Sequence, residues 1–191
     1  MNRRKAIGGI LGITGVGLAS VAGYKYVLGN SKQHKVAVKA YFDLISELVD
    51  VIIPTTAASP GAKSAQVQDF IINYMEDCAS PKEYNNFING LNDLTERCEN
   101  TYGRKFEDCS ALQKKELLED LDNSWNSKGL LMKINNKLLG RSFFNILKTL
   151  TIEGYCTSSI GATKHLAYLP IPGNYKAITT LGPDQKSWAT K

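Results

Sequence analysis

From Val38 to Ile53 the apolar residues fall at Val38, Tyr41, Phe42, Ile45, Leu48, Val49, Ile52 and Ile53, and Pro54 ends the run. Spacings of three, four and seven place these side chains on one face of a helix. Proline has no amide hydrogen and crowds the preceding turn, so the helix stops there. The stretch Thr55–Lys63 carries the turn signal Pro60-Gly61. Ser64 is placed to cap a second helix with the stripe Val67, Phe70, Ile71, Tyr74 and Met75.

The same period continues downstream. Ser80-Pro81-Lys82-Glu83 has a cap, a proline at the first helical position and the glutamate of a capping box. It predicts a third helix with Tyr84, Phe87, Ile88, Leu91, Leu94 and Cys98 on its apolar face. After a loop around Gly103, Ser110 and Gln113 form a second capping box. It opens a fourth helix with Leu112, Leu117, Leu118 and Leu121 inside. Asn123 to Gly129 breaks the pattern. A long final helix is expected from about Leu131 to Tyr155, burying Leu138, Leu139, Phe143, Phe144, Leu147, Leu150 and Ile152. Residues 156–191 hold Gly161, Pro170, Pro172, Gly173, Gly182 and Pro183 and read as an irregular tail. No stretch alternates as a strand would. The expected fold is therefore all-α, a small bundle of about five helices with a Pro/Gly-rich C-terminal tail.

The net charge of +5 misleads unless it is located. Residues 1–30 hold Arg3, Arg4, Lys5 and Lys25 and no acid, which leaves 19 basic against 18 acidic residues in 31–191. A nucleic-acid binder keeps its basic excess on the folded part, so that class is excluded. The excess belongs to a leader: a basic head, then an uncharged apolar run from Ala6 to Gly23. That layout is an export signal or a membrane anchor. The chain thus divides into a leader, 1–30, and a helical domain, 31–191. The Arg3-Arg4 pair before a glycine-diluted run resembles a twin-arginine signal. It departs from the usual pattern in having Asn2 before the pair and Lys5-Ala6-Ile7 after it. With no cysteine in the leader, lipoprotein anchoring is excluded.

Two histidines and four cysteines (Cys78, Cys98, Cys109, Cys156) show no metal-ligand spacing. Cys98 and Cys109 flank a short loop, where a disulfide would stabilise by roughly 2–3 kcal/mol. Cys78 and Cys98, at opposite ends of the third helix, would stand roughly 30 Å apart and could not bond. A Cys98–Cys109 disulfide and four unpaired thiols both remain open. Cys156 with His165 could be read as a nucleophile and its base, but a lone cysteine at a helix end is more often packing material. Glu47, Asp50 and Asp69 sit at solvent-facing or cap positions and lack an acid–base partner. There is no Gly-x-Gly-x-x-Gly or phosphate loop to hold FAD or a nucleotide.

Two stretches carry a family resemblance. The first is LISELVDVIIPTTAASPGAKSAQVQDFI, Leu44 to Ile71: Asp50-Val51-Ile52-Ile53-Pro54, Thr55 with Pro60-Gly61-Ala62, and Val67 to Ile71. The second is LKTLTIEGYCTSSIGATKHLAYLPIPGNY, Leu147 to Tyr175. In order and distance they resemble the gluconate 2-dehydrogenase subunit 3 family. That family often has an acidic residue in the first loop, where this chain has Thr56-Ala57-Ala58-Ser59.

The resemblance implies a small, non-catalytic subunit that binds no cofactor or metal itself. Its partner would be a large FAD-dependent dehydrogenase of the glucose-methanol-choline type acting on gluconate or a related sugar. A cytochrome c subunit with haem c often receives the electrons. The twin-arginine translocase would export the complex to the periplasmic side of the inner membrane, with the small subunit serving export, maturation and stabilisation of the flavoprotein. Arg3 and Arg4 would then be export residues. Gly154, Tyr155, Ser158, Gly161, Tyr168, Pro170, Pro172, Gly173 and Tyr175 would be candidates for contact with the large subunit. The alternative is a self-sufficient, membrane-anchored helical binding protein of the cell envelope.

Overall fold

The computed structural model describes residues 37–126, 140–171, 173, 178, 180 and 182–189. The fold is all-α, as the periodicity predicts. A 3-10 turn, Val38–Tyr41, leads into α1, Phe42–Ile52; α2 is Val67–Asp77, α3 is Pro81–Tyr102, α4 is Ala111–Asn126 and α5 is Phe143–Thr157. A 3-10 turn at Phe106–Asp108 lies between α3 and α4, and a single π-helical turn, Gly161–His165, follows α5. Among the described residues there is no strand, only one isolated bridge between Ala167 and Trp188.

α5 is the central element, packed against α2 and α3 and touching α1. Its buried residues are Phe143, Phe144, Ile146, Leu147, Leu150, Thr151, Gly154 and Tyr155. They run in adjacent pairs about one turn apart, so the helix buries a broad face, as one enclosed by several neighbours must. α1 contributes Leu44, Ile45, Leu48 and Val49, and α3 contributes Tyr84, Phe87, Ile88, Leu91, Leu94 and Cys98.

Both predicted capping boxes are present. Ser80 Oγ accepts from the Glu83 amide and the Glu83 carboxylate accepts from the Ser80 amide. The Ser110 and Gln113 side chains do the same for each other's backbone. Three boundaries differ from expectation. α2 begins at Val67 and not at Ser64, because residues 62–66 form a turn that closes on itself, with the Val67 amide donating to the Ala62 carbonyl at 3.2 Å. Gln66 enters α2 in the left-handed region, φ 55°. α4 continues through Asn123 to Asn126. The last helix starts at Phe143 and not at Leu131; the expected segment from Leu131 to Leu139 lies outside the described residues.

The reason for that late start is specific. Gly140 has φ 84°, which most side chains disfavour. Ser142 Oγ caps α5 by accepting from the Asn145 amide at 3.2 Å. Arg141 is held between them: its guanidinium donates to Glu83 at 2.7 Å, and its carbonyl accepts from Asn86 at 2.8 Å. The glutamate that completes the α3 cap thus also fixes the entry to α5. The expected inward positions Phe42, Leu112 and Ile152 are exposed, Leu112 most of all at 80%. Phe42 lies at the margin of its buried stripe, whereas Leu112 and Ile152 lie nearly opposite the buried faces of their helices.

Where α3 and α5 cross, Gly90 lets the helices meet. A methyl group there would land on Cβ and Cγ of Phe143, whose ring packs 5.4 Å from that of Phe87. Gly→Ala inside a helix ordinarily stabilises by about 1 kcal/mol. Here the sign should reverse: G90A should cost about 1–3 kcal/mol through overpacking, read from the midpoint of denaturant unfolding.

Candidate functional site

The two sequence stretches that carry the family resemblance meet in space. The loop after α1 is folded on itself: the Ala62 amide donates to the Ile53 carbonyl at 2.9 Å and the Gly61 amide to Thr55 Oγ1 at 2.9 Å. A side chain at Gly61 would lie 2.6 Å from the Thr55 nitrogen, so Pro60-Gly61 must be a bare backbone edge. Against that edge stands Tyr155, near the end of α5. Its hydroxyl donates to the Pro60 carbonyl at 2.6 Å and lies 2.6 Å from Ser59 Oγ. With its own hydrogen committed to Pro60, the Tyr155 oxygen accepts from Ser59. The ring is 1% exposed.

The residues around Tyr155 serve the same junction. Gly154 is buried beneath Phe70 of α2, with a Cβ at this position only 2.6 Å from the ring. Ser158 Oγ donates to the Tyr155 carbonyl at 2.7 Å and accepts from the Gly161 amide at 2.9 Å. Gly161 is buried, and a Cβ there would land on the Tyr155 carbonyl oxygen. The His165 ring stacks 5.6 Å from the Tyr155 ring at 58°. It is therefore Tyr155, not Cys156, that faces His165. Gly154, Tyr155, Ser158 and Gly161 form an internal joint between α5, the first loop and the π-helical turn.

Beyond this joint the chain comes to the surface. The Leu166 amide closes the π-helical turn on the Gly161 carbonyl at 2.9 Å. Ala167 then pairs with the C-terminal segment: its amide donates to Ser187 and its carbonyl accepts from Ala189, at 2.8 and 2.9 Å. Lys186 adds a hydrogen bond to the Lys164 carbonyl. Tyr168, Leu169, Pro170 and Ile171 follow, all exposed, with Ile171 at 82%. Trp188, half-exposed, stands opposite Ala167, and Gly173 and Ile178 are also exposed. Pro172 and Tyr175 lie outside the described residues, as do Arg3 and Arg4.

Of the carboxylates considered from sequence, Glu47 is a structural bridge. One oxygen binds Lys63 of the loop at 2.6 Å and the other binds Lys114 of α4 at 2.7 Å. Lys114 is nearly buried and lies over the Phe106 ring. Hydrogen bonds from Lys114 first, then Lys63, hold the Glu47 carboxyl below its ordinary pKa. Among the described residues no group of three His, Cys, Asp or Glu is placed to hold a metal ion.

Sequence reasoning singled out this region by motif position, without the hydrogen bonds that tie its members to the first loop. The signal for the internal role was a tyrosine about two turns beyond Leu147 on the inward face of α5, where a hydroxyl needs a partner.

A family model described as Gluconate 2-dehydrogenase subunit 3 matches residues 39–173. The match covers the first stretch, all but the last two residues of the second, and the helices between them. Searches of curated proteins and of solved structures found no significant match.

Two outcomes are expected. Y155F should destabilise by about 1 kcal/mol, because the half-buried Pro60 carbonyl loses its 2.6 Å donor and keeps only Ser59 Oγ at 3.3 Å; thermal unfolding measures it. E47Q should cost roughly 1–3 kcal/mol at neutral pH, since it leaves the Lys114 ammonium without its counter-charge. The folded-state pKa of Glu47 is lowered, so the bridge is fully present above the ordinary carboxylate range and is lost as pH falls through the lowered value. The stability gap between wild type and E47Q should therefore close in acid, as a pair of melting-temperature profiles against pH would record.

Proposed function

This chain belongs to the gluconate 2-dehydrogenase subunit 3 family, and on that premise we propose that it is the escort and structural subunit of a flavoprotein dehydrogenase. The large partner is an FAD-dependent enzyme of the glucose-methanol-choline type that oxidises gluconate or a related sugar. The flavin resides in that partner, and haem c in a cytochrome subunit where one is present. Residues 1–30 act as the export leader, with Arg3 and Arg4 addressing the twin-arginine translocase, and residues 31–191 form the body. The complex works at the periplasmic side of the inner membrane. No helix among the described residues is long and apolar enough to cross a membrane, so on this reading any anchoring falls to the leader or to a partner.

One observation carries the docking part of this reading. A body stapled by the Tyr155 joint delivers the run Tyr168-Leu169-Pro170-Ile171 to its surface, beside Trp188. Large apolar side chains grouped on an exposed, backbone-tethered segment are characteristic of a protein–protein contact. Pro172, Gly173 and Tyr175 follow this run in the sequence. Gly154, Tyr155, Ser158 and Gly161 support the contact from beneath by holding its root in place. A leader for folded cargo also suits a partner that must bind its flavin before crossing.

The test is co-expression of the full chain with its flavoprotein partner. Wild type should bring down a species with flavin absorbance. I171D/W188A should lower the recovered flavin roughly tenfold, as loss of interface anchors does, with the helical circular dichroism unchanged. R3K/R4K should keep the pair associated but inside the cytoplasm. Export of the flavoprotein alongside that variant would refute the escort role.

A further inference from the structure

We propose that Cys98 and Cys109 are a built oxidation site, which closes to an intramolecular disulfide when the folded protein meets a disulfide-bearing oxidant. The argument does not depend on the identity of the partner subunit. All four cysteines carry free thiols in this structure. Cys98 lies near the end of α3 and is fully buried; Cys109 follows the Phe106–Asp108 turn and is 6% exposed. The Phe106–Asp108 turn packs back on α3, and Cys109 is near enough to Cys98 to be one of the causes that raise its thiol pKa. The Cys109 thiol also donates to the Lys105 carbonyl at 3.3 Å, which holds its sulfur beside the turn. Two independent anchors fix the approach. Gly103 ends α3 in the left-handed conformation, its amide donating to the Glu99 carbonyl. Phe106, 1% exposed, plugs the turn into the core. By contrast Cys78 is exposed at the end of α2 and Cys156 is half-buried on α5.

Burial, more than any other cause, pushes the Cys98 thiol up to about 11. Cys109, the more accessible sulfur, therefore reacts first. Its thiolate attacks one sulfur of the oxidant, breaks that S–S bond and releases one thiolate. The Cys98 thiolate then attacks Cys109 in the mixed disulfide and releases the second. Two protein thiols lose two protons and two electrons, and the oxidant disulfide becomes two thiols. The product staples the α3–α4 corner, from which Lys114 reaches Glu47.

The test uses the full chain as the C78S/C156S variant, so that only this pair can react, with oxidised glutathione as the probe. After the folded protein is oxidised and then denatured, alkylatable thiols should fall from two to none. Trypsin should yield Cys98–Arg104 covalently joined to Phe106–Lys114, and the joint should vanish on reduction. The melting temperature should rise by roughly 5–10 °C, and C98A/C109A should show no such rise under the same treatment. Recovery of the two peptides separately, alkylated or each carrying glutathione, would overturn the proposal. An equal temperature rise in C98A/C109A would overturn it too.

Discussion

A single phenolic hydroxyl holds the two ends of the fold together. Tyr155 is enclosed by the core, yet its oxygen must be hydrogen-bonded, because an unpaired buried polar atom costs about 1–3 kcal/mol. It finds Pro60 and Ser59 on the loop after α1. The loop in turn can offer a carbonyl there only because Gly61 has no side chain and its backbone is pressed against Ile53 and Thr55. The joint therefore fixes three things at once: the path of the first loop, the end of α5, and the origin of the segment that leaves the body at Leu166. Of the glycines on either side of the tyrosine, Gly154 makes room for Phe70 and Gly161 for the Tyr155 carbonyl.

A second economy lies at the start of α3. Glu83 serves its own helix as the acid of a capping box and serves α5 as the counter-charge of Arg141. Gly90, two turns further along α3, receives Phe143. The alignment of α3 and α5 thus depends on an ion pair at one point and on the absence of a methyl group at another. The first sets direction and the second sets distance.

Much of this was legible from residue order. Four of the five helices were placed by period and punctuation, and both capping boxes were present as Ser-x-x-Glu and Ser-x-x-Gln signals. These features are local, so a window of a few residues contains their cause. The late start of α5 was not legible, because it rests on a pairing between Glu83 and Arg141 across 58 positions. The start of α2 at Val67 was missed for a similar reason: Ser64 looked like a cap, but the Ala62 carbonyl had already claimed the amide of Val67. In the site, motif position directed attention to Gly154, Tyr155, Ser158 and Gly161. It could not say whether they face outward or inward, since that depends on Phe70 and Pro60, which lie far upstream.

The span of the Tyr155 contact has a consequence in time. Its partners lie 95 and 96 positions earlier in the chain, and contacts of that reach carry a large loop-closure entropy, which the packing of the intervening helices reduces. The surface at Tyr168–Ile171 springs from the far side of this contact. It exists, in its fixed orientation, only on a chain whose first and last helices have already come together. Any partner that requires that surface is thereby shielded from half-made copies: recognition becomes a proofreading step on folding, enforced by the order in which the polypeptide closes.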